Sequence, residues 1–304
     1  MTRVKNKVDG IVLLDKPTNI TSNKLLQKVK FIFNAKKAGH TGNLDPLATG
    51  ALPICFGEAT KVSEYLIKSS KTYHVVAKLG EKTNTGDSDG IITEKKTFTQ
   101  INTERCESIL KSFIGETEQM PPMFSAIKVD GVRLYKQARK GLIIPRKKRT
   151  INIHNIYLKN LSFNSMELIV HCGKGTYIRS LIEDIAAKLE TFAHVIKLRR
   201  TSIDVIEDHE LITIESLESE HNYNRLIKKY LLPIDVAIES FPKLSTTLIE
   251  SIKFRQGQRI KFSLKRHFKS VNVRVYDLND SLIGLGVIDN DGIIQPTRIF
   301  NLIN

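Results

Sequence analysis

The sequence predicts a mixed α/β domain followed by a small β-rich module, and three features of the chain support this. Near the N-terminus, an apolar run at 11–14 has the length of a buried strand. The next stretch has one apolar helical face with Thr21 or Ser22 as its cap, formed by Leu25, Leu26, Val29, Ile32 and Phe33. Towards the C-terminus, Val271, Val273 and Val275 alternate with more polar residues, as in a half-buried strand.

The chain changes character between Pro233 and Pro242, which predicts domains at 1–238 and 239–304. In the first domain we expect helices over 103–113 and from residue 178, and strands near 73–79, 150–161, 166–172 and 194–205. The segment 119–149 is basic and broken by prolines and glycines around a short helical piece at 135–139, so we interpret it as an excursion from the core. The second domain adds a helix near 248–254 and strands near 282–288 and 293–300.

The chain is strongly basic: its 47 lysines and arginines exceed its 32 acidic residues and leave a formal net charge of +15. This balance favours a polyanionic partner, and nucleic acid fits best. The basic residues form five groups: Lys36 and Lys37; Lys136, Arg139 and Lys140; 146–149; Arg199 and Arg200; and Lys265, Arg266 and Lys269. Dispersed groups suit an extended phosphate backbone, although each group alone is also typical of a solvated face.

Membrane attachment is the competing use of basic charge. The apolar runs are too short to span a bilayer, and the N-terminal residues MTRVKNKVDG lack the apolar stretch of a signal peptide. We therefore expect a cytoplasmic protein that does not bind a membrane.

The sequence carries no pattern that predicts a metal or a cofactor. Cys55, Cys106 and Cys172 are three isolated thiols without CxxC spacing, and an odd number argues against a disulfide framework. The GKGT stretch at 173–176 lies between a strand and a helix but lacks the Ser or Thr that follows the lysine of a P-loop. The Rossmann fingerprint is also missing.

The window AGHTGNLDPLATGALPICFGEATK at 38–61 places Asp45 among glycines, threonines and apolar residues. Four residues of this window are charged or carry an imidazole: His40, Asp45, Glu58 and Lys61. A solvated loop usually carries more charge. The pattern is typical of a single reactive acid in a shaped loop. The structural alternative is an ordinary turn, since Asp before Pro commonly starts one.

Four residues have both a structural and a functional interpretation. Arg179 lies in the first turn of its helix, where a cation opposes the helix dipole, and either a surface pair with Glu183 or a site role would account for it. Tyr73 and Leu198 are core residues by default, and His40 would by default hydrogen-bond a loop backbone.

The chain resembles the TruB-type tRNA pseudouridine synthases. The 38–61 window matches the catalytic motif of that family, and the likeness continues through LLDKPTNITSN, KTYHVVAKLG with NTGDSDG, QMPPMFSAIKVDG with RLYKQARKG, and GKGTYIRSL with AHVIKLRR. These motifs cover most of 10–205, and the C-terminal stretch GLGVIDNDGIIQPTRIF resembles the small PUA RNA-binding domain. The resemblance implies an α+β fold with a mixed, largely antiparallel sheet flanked by helices, an RNA-clasping insertion at 119–149, and a β-rich PUA-like domain.

The resemblance also implies an activity, the isomerisation of uridine 55 in the T-loop of tRNA to pseudouridine after base flipping. Asp45 would be the catalytic acid, Tyr73 would stack on the target uracil, and Arg179 would pair with Asp45 and keep it ionised. His40 would help to displace the target nucleotide and Leu198 would pack against its base. Further motif positions near the site are Lys16, Lys61 and Tyr177. No cofactor or metal is implied.

The expected partner is the T-arm of tRNA, recognised by a monomer without an obligatory protein partner. A guide-dependent synthase of the dyskerin kind is the main alternative within the same chemistry, and an RNA-binding or RNA-folding protein without catalysis is the alternative from another class.

Two departures from the family pattern stand out: Phe124 replaces a common tyrosine, and 190–192 replace a glycine-containing turn.

Overall fold

The computed structural model describes residues 4–207, 209–262 and 270–302, so the basic group at 265–269 lies outside the described residues. The helices are α1 Ser22–Ile32, α2 Ser63–Lys68, α3 Thr103–Lys111, α4 Leu134–Ala138, α5 Ile178–Lys188, α6 Ile214–Glu218, α7 Tyr223–Tyr230 and α8 Leu248–Arg255. The first nine strands are β1 Gly10–Lys16, β2 Ala38–His40, β3 Thr49–Phe56, β4 Lys71–Leu79, β5 Glu81–Thr83, β6 Ile92–Lys95, β7 Gly115–Gln119, β8 Lys128–Val129 and β9 Val132–Arg133. The others are β10 Arg149–Leu161, β11 Ser165–Cys172, β12 Ala193–Ile203, β13 Lys243–Ser245, β14 Ile260–Lys261, β15 Val271–Tyr276, β16 Leu282–Ile288 and β17 Ile293–Ile299.

An eight-stranded sheet forms the centre of the molecule. Its order is β1-β3-β12-β4-β11-β10-β7, with β2 also paired to β3. Every pairing is antiparallel except that of β12 with β3. The predicted α+β architecture with a mixed, largely antiparallel sheet is therefore confirmed.

One face of this sheet packs against helices. The buried residues of α1, α3, α5, α6 and α7 form one continuous core with the inward-facing residues of the strands. Helix α1 begins as expected, because the Thr21 side chain accepts a hydrogen bond from the Lys24 amide and caps its N-terminus. In the described part of the chain, no helix is long and apolar enough to cross a membrane.

The C-terminal region forms a second, five-stranded sheet with the order β13-β15-β16-β17-β14. It has a small core of its own around Phe254. Its Tyr276, Leu282, Leu285 and Phe300 also join a cluster with Ile11, Leu13 and Cys55 of β1 and β3. The second sheet therefore packs on the central sheet, on the face opposite the core formed with α1, α3, α5, α6 and α7.

The glycine-rich window at 38–61 is not only a loop, which its sequence did not indicate. It contains β2 and β3, and the loop between them spans 41–48. Gly50 allows the parallel pairing of β3 with β12: it has φ +97°, and a Cβ there would lie 2.1 Å from the carbonyl oxygen of Arg200. The motif therefore brings two backbones together beside Asp45.

The turn between α5 and β12 shows the effect of one departure from the family pattern. Glu190 adopts φ +60°, a left-handed conformation that favours glycine. Its side chain lies 3.3 Å from Arg105 of α3. The left-handed conformation in this turn is therefore adopted by a residue other than glycine.

Candidate active site

Asp45 lies in the loop 41–48, called the aspartate loop, and forms a bidentate ion pair with Arg179. The Arg179 Nε and Nη2 atoms lie 2.9 and 3.2 Å from the two carboxylate oxygens. The Arg179 side chain is 4% exposed, whereas that of Asp45 is 28% exposed. The pair therefore orients the carboxylate from inside the protein and leaves it open to a substrate.

Arg179 is fixed by the backbone of two other segments. Its Nη1 donates to the carbonyl oxygen of Thr85 at 2.6 Å, and its Nη2 donates to that of Phe124 at 2.8 Å. The contact at Phe124 uses the main chain, so the replacement of a tyrosine by Phe124 leaves it intact. Both segments hold the guanidinium in one orientation.

The position of Arg179 in the first turn of α5 now has an explanation. Among the described residues, the carboxylates within ion-pair distance of its guanidinium are Asp45 and Asp87, and Glu183 is not one of them. The alternative of an ordinary surface pair with Glu183 is therefore wrong. The cation stands at an electrostatically unfavourable place because Asp45 lies opposite it.

The aspartate loop is anchored on both sides of Asp45. The Ser22 hydroxyl donates to the Leu44 carbonyl and accepts from the Leu44 amide, at 3.1 and 2.9 Å. The Lys16 ammonium donates to the carbonyl oxygens of Pro46 and Ala48, at 3.2 and 2.6 Å. The loop is therefore a rigid support for the carboxylate.

Lys16 is fully buried at the end of β1. Burial lowers its pKa from 10.5 to about 8, and the nearby charge of Asp45 opposes this shift. Its contacts are with the loop backbone, so the structure places Lys16 beneath the site rather than on its open side.

Tyr73 and Leu198 lie on one face of the central sheet. Leu198 is the cross-strand partner of Val75, and Tyr73 is the partner of Arg200, so these four side chains project from the same face of β4 and β12. Leu198 is buried, whereas Tyr73 is half-buried and packs at the edge of the main core. Burial raises the pKa of the Tyr73 hydroxyl, and the charge of Arg200 opposes that rise.

Arg200 is a residue of the site that sequence reasoning missed. It was grouped with Arg199 as a basic surface pair, but Arg200 is 1% exposed, and Arg199 makes two hydrogen bonds of 2.8 and 2.7 Å with Asp15. Strand alternation was the available signal, because Arg200 lies two residues after the apolar Leu198 and so shares its face.

His40 lies at the end of β2, immediately before the aspartate loop. Burial and the charge of Arg200 lower its pKa, which favours a neutral imidazole at neutral pH. Its Nδ1 is buried without a hydrogen-bond partner in the described part of the chain. The default interpretation of a histidine bound to loop backbone through this atom is therefore not supported.

Tyr177 precedes α5 and is joined to the start of the insertion. The Gln119 side chain accepts from the Tyr177 amide at 2.8 Å and donates to the Tyr177 carbonyl at 3.1 Å. Burial raises the pKa of the Tyr177 hydroxyl, and the charge of Asp45 adds to this effect. This contact fixes Tyr177 two residues from Arg179.

Lys61 is not joined to the other site residues by any contact in the described ranges. It ends the 3₁₀ turn Gly57–Lys61, and its ammonium donates to Glu58 and to the carbonyl oxygen of Ile299, at 2.7 Å each. The structure thus places Lys61 where the two sheets meet.

The loop 84–90, called the acidic loop, contains a second carboxylate close to Arg179. Asp87 in it is 3% exposed, and its Oδ2 lies 3.6 Å from the Arg179 Nε. Burial raises the pKa of Asp87, and a hydrogen bond from Thr85 and the charge of Arg179 oppose this. A second carboxylate therefore supports the guanidinium from behind. Two aspartates among two glycines, a threonine and a serine in NTGDSDG were the signal for it.

The insertion 119–149 has nine basic residues and a single acidic one, Asp130. It forms the β8–β9 hairpin and α4, and Leu134 is its buried anchor. The exposed basic residues of the insertion are Lys128, Arg133, Lys136, Arg139, Lys140, Lys147, Lys148 and Arg149. It also supplies the Phe124 carbonyl to Arg179, so a basic surface is attached directly to the site.

Three family models match consecutive parts of this chain. They are described as the TruB family pseudouridylate synthase N-terminal domain at 30–178, the tRNA pseudouridylate synthase B C-terminal domain at 179–239, and the pseudouridine synthase II TruB C-terminal domain at 243–300.

Similar proteins cover nearly the whole chain. One from Ectopseudomonas mendocina, named tRNA pseudouridine synthase B, is 44% identical over 98% of this chain and 97% of its own. A protein of the same name from Buchnera aphidicola subsp. Acyrthosiphon pisum is 47% identical over 97% and 96%. A chain of the solved Cbf5–Nop10–Gar1 complex shares the fold, with a TM-score of 0.70 and 24% identity over 95% of this chain and 84% of that chain. The extent of the sequence matches shows that this chain belongs to the TruB family of pseudouridylate synthases.

Proposed function

We propose that this enzyme isomerises uridine 55 in the T-loop of tRNA to pseudouridine, acting in the cytoplasm as a monomer without a guide RNA. The observation that carries the proposal is the partly exposed Asp45 carboxylate, held in an ion pair by the buried Arg179, whose guanidinium also binds the backbone of the basic insertion. Relatives named tRNA pseudouridine synthase B support tRNA as the substrate.

The reaction needs no oxidant and no group donor. The bond between C1′ and N1 of the uridine breaks, the uracil turns, and C1′ bonds to C5; the C5 proton leaves to water and N1 gains a proton. Asp45 serves as nucleophile or base, with Arg179 fixing its orientation and balancing its charge. Tyr73 stacks on the uracil, and Leu198 and Tyr177 confine it.

A stacked T-loop hides the glycosidic bond, so the target nucleotide has to leave the stack at a cost of a few kcal/mol. His40 is suited to fill the space that it leaves, because its lowered pKa keeps the imidazole neutral and its Nδ1 has no partner among the described residues. Lys16 maintains the loop, and the exposed basic residues of the insertion hold the T-arm phosphates.

The first experiment uses a tRNA transcript with tritium at uridine C5 and the purified protein alone, because bond formation at C5 expels the label. We expect release by the wild type and a loss of at least about 1,000-fold in the Asp45→Asn variant, with tRNA binding changed by less than about tenfold. Asp291→Asn, in an exposed turn, is the matched control and should retain full activity.

A second transcript carries cytidine at position 55 and tritiated uridines elsewhere. Absence of release from it assigns the activity to uridine 55. Tight binding of both transcripts without release would favour an RNA-folding protein, and release only after addition of a guide ribonucleoprotein would favour the dyskerin-like alternative.

A further inference from the structure

Arg200 is a buried cation to which the proposed reaction gives no part. It is 1% exposed, and its Nε donates to the carbonyl oxygen of Ala51 on β3 at 2.6 Å. Its Nη2 has no hydrogen-bond partner in the described ranges 4–207, 209–262 and 270–302. Burying a charge with an unused donor is costly, so a function is expected to account for it.

The geometry connects Arg200 to Tyr73. The two residues are direct cross-strand partners in β12 and β4, and the Cβ atoms of such partners lie about 4.5–5.5 Å apart on the same face. The hydrogen bond to Ala51 fixes the guanidinium between three strands. Arg200 therefore cannot swing out towards phosphate without breaking this hydrogen bond.

The charges around the Tyr73 hydroxyl differ in sign. Asp45 from the aspartate loop and Cys172 from β11 raise its pKa, in addition to the larger effect of burial. The charge of Arg200 acts in the opposite direction. Arg200 is thus the cation that supports negative charge on this oxygen.

We propose that Arg200 is a positioning residue for Tyr73: it holds the phenolic oxygen at the target uracil and stabilises negative charge on it. This inference rests on the proposed function. Tyr73 releases its hydroxyl proton to solvent, and the resulting phenolate takes the proton from C5 after the new C–C bond has formed. Arg200 exchanges no proton and touches no reacting atom.

The test is a double-mutant cycle measured by tritium release under single-turnover conditions, using Arg200→Gln, Tyr73→Phe and the double variant. Arg200→Gln should slow release by about 10- to 100-fold in the wild-type background, as for loss of a hydrogen bond to a charged group. In the Tyr73→Phe background, which lacks the hydroxyl, the same change should cost less than about twofold. Equal losses in both backgrounds would overturn the proposal and make Arg200 a structural residue.

The dependence of the rate on pH is a second test, because a purely structural role of Arg200 would leave it unchanged. Removal of the Arg200 charge raises the pKa of Tyr73, so the rise of the rate with pH should shift to higher pH in Arg200→Gln. Arg200→Lys retains a positive charge and should restore most of the wild-type profile. A profile unchanged in both variants argues against the proposal.

The outcomes also separate the inference from the proposed function. If Arg200→Gln does not fold, as checked by thermal unfolding, Arg200→Met, which also removes the charge, replaces it in the cycle. No release by the wild type on any tRNA means that the proposed function has failed. Release by the wild type with an additive cycle overturns only the role of Arg200.

Discussion

At the scale of residues, the site combines three buried cations with the partly exposed carboxylate of Asp45 and the buried one of Asp87. Taken as whole residues, Lys16, Arg179 and Arg200 are each at most 3% exposed. Lys16 and Arg179 have defined acceptors, the loop carbonyls and Asp45 respectively, whereas Arg200 has an unused donor in the described part of the chain. Sequence indicated Asp45 and Arg179 through their local surroundings. It did not indicate that Arg200 is buried, because burial of a charged side chain depends on strands that are distant in sequence.

Replacement of Lys16 should change both the pH dependence of the stability and the activity of the enzyme. Burial lowers its pKa from 10.5 to about 8, so between these values the unfolded chain binds more protons than the folded one. The free energy of unfolding therefore rises with pH in this window. Lys16→Met should remove the part of this pH-dependent increase in the free energy of unfolding that Lys16 causes. It should also lower activity by at least about tenfold, because the aspartate loop loses its anchor.

Lys71 is the matched control for Lys16. It is also buried, its pKa is also lowered to about 8, and its ammonium donates to the carbonyls of Leu66 and Ile67, outside the aspartate loop. Lys71→Met should flatten the same pH window while changing activity by less than about threefold. Urea unfolding between pH 7 and pH 10, with tritium release, measures both. Equal loss of activity in the two variants would show that the loop anchor is not the cause.

At the scale of elements, hydrophobic periodicity predicted the strands and helices whose apolar residues are regularly spaced. Strands β10 and β11 begin and end within a few residues of their predicted bounds, and helix α5 begins at its predicted residue, because their apolar spacing is regular. Strand β3 was missed because Gly50 and Pro53 interrupt its pattern, and β2, with the sequence AGH, is too short to show one. Pro53 is tolerated since pairing with β12 stops at Gly50. The edge strand β7, with the sequence GETEQ, has too few apolar residues to be detected.

The insertion gives a prediction at this scale. Replacing Lys136, Arg139 and Lys140 by serine should weaken tRNA binding and make the slope of log affinity against log salt shallower, by up to about 0.9 for each phosphate that is no longer neutralised. The rate at saturating tRNA should stay within about twofold, since these residues are exposed and, within the described ranges, form no ion pair with Asp45.

The control for the insertion is a charge-matched triple replacement on α7, at Arg225, Lys228 and Lys229, which are also exposed. Filter binding at several salt concentrations compares the two variants. An equal change in slope would show that net charge, rather than the insertion, determines affinity.

The whole molecule is organised around two sheets with a shared apolar contact. Tyr276, Leu282 and Phe300 of the C-terminal region pack with Ile11 and Cys55 of the central sheet. The sequence predicted both regions but not this contact, since nothing local indicates which outward face of a strand meets another domain. We therefore expect the two regions to unfold together.

Replacement of Lys61 tests whether the contact between the two regions stabilises the protein. Its hydrogen bonds to Glu58 and Ile299 join the two regions, so Lys61→Met should lower the free energy of unfolding by about 1–2 kcal/mol. Catalysis at saturating tRNA should change by less than about twofold. Lys68→Met, which removes an exposed pair with Glu64, should cost less than about 1 kcal/mol. Weaker tRNA binding at unchanged stability would instead support the substrate role that the family resemblance implies for Lys61.

The burial of all three cysteines has a consequence for following the motions of this enzyme. Cys55, Cys106 and Cys172 are each at most 1% exposed, and burial raises their pKa values to about 12, 11 and 11. Only an exposed thiolate reacts quickly with an alkylating reagent, so each thiol reacts when its surroundings open. Cys55 reports on the contact between the sheets, Cys106 on α3, and Cys172 on the strand beside Tyr73. Mass spectrometry of alkylated peptides would therefore time the opening of three separate regions in the unmodified chain, with and without RNA.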